Sequence, residues 1–199
     1  MKFRAISALL PTLLATLTLL SITTNTQAQD APRVRFVTTA GDFMVEVYPD
    51  KAPKTVENFL QYVAEKHYDG TIFHRVIDNF MIQGGGFDTQ LAQKKTRAPV
   101  AHEGREALAK GGSKNVAGTL AMARTNDPHS ATAQFFINVK ENQFLDPTTQ
   151  NFGYTVFGKV TSGMEVIQKI KSVPTGAVGP FSSDVPKTPI VINSATLVK

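Results

Sequence analysis

The feature that most constrains this chain is its punctuation. Short runs rich in β-branched and aromatic residues recur with turn residues between them, and only two stretches carry a helical period. Residues 33–39 (RVRFVTT) form the first run. Thr39-Ala40-Gly41-Asp42 is a turn, and residues 43–48 then alternate, with Phe43, Val45 and Val47 on one face and Met44, Glu46 and Tyr48 on the other. Period-two alternation predicts a hairpin with one buried face. Further short strands are predicted at 119–122, 134–138, 154–160 and 189–198. Residues 52–67 (APKTVENFLQYVAEKH) instead place Val56, Phe59, Leu60 and Val63 at i, i+3, i+4 and i+7, the stripe of a helix with Pro53 in its first turn. A second, shorter amphipathic helix fits 164–170. So many short strands predict a mainly β fold, an antiparallel sheet closed into a barrel that leaves no exposed edge. Residues 87–118 show no clean period and are read as an irregular excursion over that barrel.

Ahead of the first strand the pattern changes. Lys2 and Arg4 make a short basic start, residues 8–20 are apolar but interrupted by threonines and Pro11, and Thr26-Gln27-Ala28 supplies small residues at a cleavage site. This is the layout of a secretory signal cut after Ala28. The apolar stretch falls short of the ~20 residues that a membrane span needs. The expectation is a cleaved signal over 1–28 and one domain over 29–199, exported to the periplasm and free of the membrane after cleavage. Its 171 residues are enough for a core without staples.

Composition excludes several chemistries. Losing Lys2 and Arg4 takes the formal charge from +5 to +3, and no block of like charges argues for nucleic acid. There is no cysteine, hence no disulfide framework, no thiol nucleophile and no thiolate metal site. His67, His74, His102 and His129 lack metal-ligand spacing such as HExxH, so no metal is expected. Gly84-Gly85-Gly86 is not followed by the Lys-Ser/Thr of a phosphate loop and reads as a tight bend. Ser130 has no organised His–Asp partner.

Residues 72–85 (IFHRVIDNFMIQGG) then stand out, because a histidine, an arginine and a glutamine interrupt a run that would otherwise bury itself. A three-residue loop at Asp78-Asn79-Phe80 would set Arg75 opposite Gln83, whereas a two-residue loop would set Ile82 there. The residues alone leave both open. Simple alternation turns His74 away from Arg75 and makes it a hydrogen-bonded packing residue.

Four motifs, FHRVIDNFMIQGGGF (73–87), NVAGTLAMAR (115–124), SATAQFFINV (130–139) and FGYTVFGKV (152–160), occur in an order and spacing that resemble the cyclophilin-type peptidyl-prolyl cis–trans isomerases, most nearly the exported bacterial members. The resemblance spans the whole mature chain. It implies a closed eight-stranded antiparallel β-barrel capped by two α-helices, with a groove on the barrel's outer face. It implies Arg75 and Gln83 as catalytic residues, and Phe80, Met81, Ala123, Arg124, Gln134, Phe136, Phe144, Leu145 and Tyr154 as substrate-binding ones. It implies no cofactor, and as partners proline-containing unfolded or extended polypeptides met by a monomer. Arg124, Phe144 and Tyr154 stand where many eukaryotic members have asparagine, tryptophan and histidine. The missing indole N–H implies weak cyclosporin binding. The segment 102–114 is longer and more basic than the family pattern.

The reaction implied explains why an arginine is wanted. The peptide C–N bond resists rotation by ~18–20 kcal/mol because the nitrogen lone pair is delocalised into the carbonyl. In the half-rotated state the lone pair returns to nitrogen, which then accepts a hydrogen bond that the planar amide cannot. A fixed donor aimed there binds the transition state better than either ground state. Arginine is permanently charged, planar and rich in donors. Selected by this role, the three-residue loop would let the Gln83 amide orient a buried Arg75 guanidinium. A proline-binding chaperone module on the same scaffold is the alternative, and it would have no use for that cation.

Overall fold

The computed structural model describes residues 31–198, so the signal expected over residues 1–28 lies outside the described residues. In chain order the elements are β1 (Arg33–Thr38), β2 (Gly41–Val47), α1 (Pro53–Ala64), β3 (Thr71–Ile77), β4 (Met81–Asp88), α2 (Gly104–Ala109), β5 (Thr119–Met122), β6 (Phe135–Asn138), a 3₁₀ turn (Gln143–Leu145), β7 (Val156–Ser162), α3 (Met164–Lys171), β8 (Thr175–Val178), β9 (Phe181–Pro186) and β10 (Val191–Val198). Eight strands close into a barrel in the order β1-β10-β3-β4-β6-β5-β7-β2, every pair antiparallel. The predicted first hairpin is β1–β2, with Thr38 facing Gly41 and with Phe43, Val45 and Val47 buried.

The interior is packed with rings. Phe36 stacks on Phe43 at 4.9 Å, and Phe59, Tyr68, Phe73, Phe135 and Phe157 complete the cluster, all fully buried. With side chains filling the barrel, a ligand groove has to lie on its outside. Two helices cover the barrel as expected. α1 contributes Val56, Phe59, Tyr62 and Val63, and α3 contributes Val166, Ile167 and Ile170. Leu60, expected on the buried stripe of α1, is only partly covered, and Tyr62 is buried in its place.

Two elements escaped the sequence reading. The excursion over 87–118 contains the six-residue α2, and the segment before β10 folds into a separate two-stranded hairpin, β8–β9, turning at Gly179-Pro180. That dipeptide is a turn signal flanked by apolar residues, so the hairpin was findable. α1 explains part of the excursion. Its N-cap residue, Ala52, has no capping side chain, and the carboxylate of Glu103 accepts from Lys54 N–H (3.2 Å), Thr55 N–H (2.8 Å) and Thr55 Oγ1 (2.8 Å) instead. A residue 48 positions away thus satisfies the orphan amides of the helix and meets its positive end with a negative charge.

Candidate active site

β3 and β4 build one wall of the site. Ile77 faces Met81, Val76 faces Ile82 and Arg75 faces Gln83. The connection is therefore the three-residue loop, and Asn79 takes a left-handed φ of 60° within it, a conformation asparagine tolerates. The next pair is Phe73 with Gly84, so β3 holds one more residue than β4 at this point. Phe73 and Val76 both belong to the interior cluster, and His74 and Arg75 between them both line the outer cavity. This bulge corrects the expectation from simple alternation: His74 does not turn away from Arg75 but lies beside it.

Outside the barrel a second, smaller apolar cluster forms. Met81, Ala121, Phe136, Leu145 and Val156 are buried in it, with Ile77, Phe80, Ala123 and Tyr154 partly buried against them. Phe136 is reached from both sides of β6, opposite Gln83 on β4 and Ala121 on β5. Its ring meets Tyr154 edge-on at 5.4 Å. Leu145 arrives on the 3₁₀ turn, which is tied down by Tyr154 N–H to Leu145 C=O (2.9 Å), and Asn142 Nδ2 reaches across to Phe80 C=O (2.8 Å). Of these, Phe80, Met81, Ala123, Phe136, Leu145 and Tyr154 line a cavity of about 560 Å³ that also takes Arg75, Gln83, Gln134 and Arg124 in its walls.

Ten of the eleven expected site residues line this cavity, and Phe144 does not. It stands at the edge, 67% exposed, with its ring stacked on Phe80 at 5.7 Å. The polar side departs from expectation in four ways. Gln83 does not hold the Arg75 guanidinium: its Nε2 donates to Gln134 Oε1 at 3.0 Å. Arg75 is not buried, its side chain being 46% exposed, and its ion pair runs from Nε to Asp184 Oδ2 at 3.9 Å. Ala123, expected to bind substrate, has its N–H already committed to Gln134 C=O at 3.0 Å. Arg124 pairs with carbonyls, donating from Nε and Nη2 to Gly153 C=O (3.1 and 2.9 Å) and from Nη1 to Thr125 C=O (2.8 Å), while its Cζ lies 4.7 Å over the Tyr154 ring. It fixes the loop that presents Tyr154.

Gly86 gives Gln134 its place, since a Cβ there would stand 2.5 Å from Gln134 Cδ. His74, Phe87 and Phe181 to Asp184 line the cavity without having been expected to. His74 is buried, and its Nδ1 lacks a hydrogen-bond partner among the described residues, so packing does most to hold the ring. Burial, with a smaller push from the Arg75 charge and against a bond to the Ile72 backbone, lowers its pKa from 6.5 to about 4. The ring is neutral at physiological pH. No helix among the described residues is long and apolar enough to cross a membrane, and no group of three or more metal-ligating side chains occurs among them.

A family model described as "Cyclophilin type peptidyl-prolyl cis-trans isomerase/CLD" matches residues 33–197. The chain is 54% identical over 168 residues to peptidyl-prolyl cis-trans isomerase cyp18 of Streptomyces antibioticus, covering 83% of this chain and 98% of the relative. It is 52% identical over 167 residues to peptidyl-prolyl cis-trans isomerase B of Escherichia coli (strain K12), covering 82% and 98%. With peptidyl-prolyl cis-trans isomerase A of Dickeya dadantii the identity is 48% over 190 residues, covering 94% and 97%. A crystal structure of a cyclophilin-type isomerase from Cryptosporidium parvum superposes with a TM-score of 0.68 at 26% identity, covering 85% of this chain and 98% of that one.

Proposed function

This chain belongs to the cyclophilin-type peptidyl-prolyl cis–trans isomerases, and on that premise we propose that it turns X-Pro bonds by aiming Arg75 at the nitrogen of the half-rotated imide. The observation that carries the reading is a juxtaposition: the Arg75 guanidinium stands in the wall of the same outward cavity whose floor is Met81, Phe136 and Leu145. The apolar floor takes the proline ring. Gln83, Gln134 and the Tyr154 hydroxyl meet the polar backbone on either side of it. Prolyl peptides are the substrates, taken as extended or unfolded segments because the cavity lies on the outer face of the barrel. No covalent bond breaks and no proton moves.

The magnitudes are compatible. Uncatalysed exchange runs at about 0.01–0.1 per second, and reaching roughly 10³ per second requires about 5.5–7 kcal/mol of transition-state stabilisation. A charge-assisted hydrogen bond formed only in the twisted state, together with binding of a strained conformer, is of that size once water is excluded. Arg75 is half exposed on its own, so the client itself supplies the desolvation. A module that merely holds proline segments would need the floor and leave the cation idle.

The test is a prolyl-peptide isomerisation assay on wild type and Arg75→Ala. Loss of acceleration in a folded variant is expected, and equal rates would overturn the assignment. We also propose that the enzyme acts in the periplasm as a monomer on exported clients, with weak affinity for cyclosporin, and that residues 1–28 are removed on export. The intact mass of protein recovered from the periplasm is then that of a chain beginning at Gln29. Recovery of uncut chain from the cytoplasm alone would contradict this.

A further inference from the structure

Orienting Arg75 is a task that Gln83 does not perform, because its amide nitrogen is committed to Gln134. The side chain that meets the guanidinium comes from β9, an element outside the barrel. The β8–β9 hairpin is fastened to the outer wall by three rings at the end of the groove. His74 packs on Phe87 at 4.7 Å, Phe87 meets Phe181 edge-on at 5.1 Å, and His74 meets Phe181 at 5.8 Å. Three residues on from Phe181, Asp184 adopts a left-handed φ of 66°. That conformation disfavours most side chains, though aspartate and asparagine tolerate it. It leaves Asp184 Oδ2 3.9 Å from Arg75 Nε.

We propose that Asp184 is a positioning residue for the isomerisation: its carboxylate holds Arg75 by the Nε side and leaves the two Nη groups to face the imide. The proposal rests on the catalytic reading of Arg75 given above. In the free protein the pair is half exposed, 46% and 35%, and such a pair contributes little to stability. A bound polypeptide covers the groove and lowers the local dielectric, so the restraint strengthens when the bond is being turned. The effect therefore falls on turnover, not on fold or on ground-state binding.

The experiment compares kcat and KM for a prolyl peptide in wild type, Asp184→Asn, Arg75→Lys, Arg75→Ala and the Asp184→Asn/Arg75→Lys double variant. Asparagine keeps the backbone conformation and removes the charge. Asp184→Asn is expected to lower kcat by roughly 3–10-fold with KM within about twofold. In the Arg75→Lys background, which lacks an Nε–H to hold, Asp184→Asn is expected to change kcat by less than about twofold. An unchanged kcat, a loss confined to KM, or an equal loss in both backgrounds would overturn the proposal. Activity lost in Arg75→Ala but intact in Asp184→Asn removes this inference alone. Full activity in Arg75→Ala removes the arginine mechanism and this inference with it.

Discussion

Arg75 reaches the groove because β3 carries one residue more than β4 between Phe73 and Val76. The same extra residue turns His74 outward beside it. Residue types announced this site well: an arginine and a glutamine in an apolar run have no reason to be there unless something uses them. A period-two pattern cannot show a bulge, so His74 was assigned to the wrong face. What the two residues do with pH can be measured separately. Arginine does not titrate and His74 is neutral above about 4, so the isomerisation rate should be flat from about pH 6 to pH 9. A bell-shaped profile would point to proton transfer. Stability behaves differently. The unfolded chain takes up a proton near pH 6.5 that the buried ring refuses until about 4. The contribution of His74 is thus complete above 6.5 and lost as pH falls through about 4. His67 and His102 are lowered by burial in the same direction. Urea unfolding should accordingly show a decline over this window, with about 3 kcal/mol of it belonging to His74 and absent in His74→Gln. An identical decline in that variant would assign it wholly elsewhere.

Among the elements, those with strong periods were legible. The β1–β2 hairpin, α1, β5 and α3 lie where alternation and the i, i+3, i+4 stripe put them. The excursion over 87–118 was not, because its order comes from distant partners. Glu103 is set within it and caps α1, a contact with no local signature. Replacing Glu103 by alanine leaves two amides and the Thr55 hydroxyl without an acceptor, and should cost about 2–3 kcal/mol in denaturant unfolding. A cost under about 0.5 kcal/mol would show that water substitutes there. β4 makes a different demand. Gly86→Ala puts a methyl group into the Gln134 side chain, displaces it and breaks its bond to Gln83. Isomerase kcat/KM should fall roughly tenfold while circular dichroism stays native. Wild-type activity in Gly86→Ala would mean that the Gln83–Gln134 pair does not serve the client.

At the scale of the whole molecule, the division between two apolar clusters decides where chemistry occurs. The interior cluster is continuous and full of rings, and it carries the stability. The outer cluster is small and open on one side, with the charge and amides gathered around it. Closure of the barrel could be argued from many short strands and few helices. The position of the groove could not, because Met81, Phe136 and Leu145 look like ordinary core until their strands are placed. That is why the floor of the site came from family motifs, and why its far wall on β9, outside those motifs, was missed. Catalysis turns on Arg75 favouring the half-rotated imide over both planar forms. Exchange NMR on one prolyl peptide, with wild type and with Arg75→Ala, gives the dissociation constant and the cis–trans rate of the bound peptide from the same samples. For Arg75→Ala a dissociation constant within about threefold of wild type and a bound-state exchange rate lower by roughly 100-fold or more are expected. Bound-state exchange equal to wild type, or a loss explained entirely by weaker binding, would contradict it.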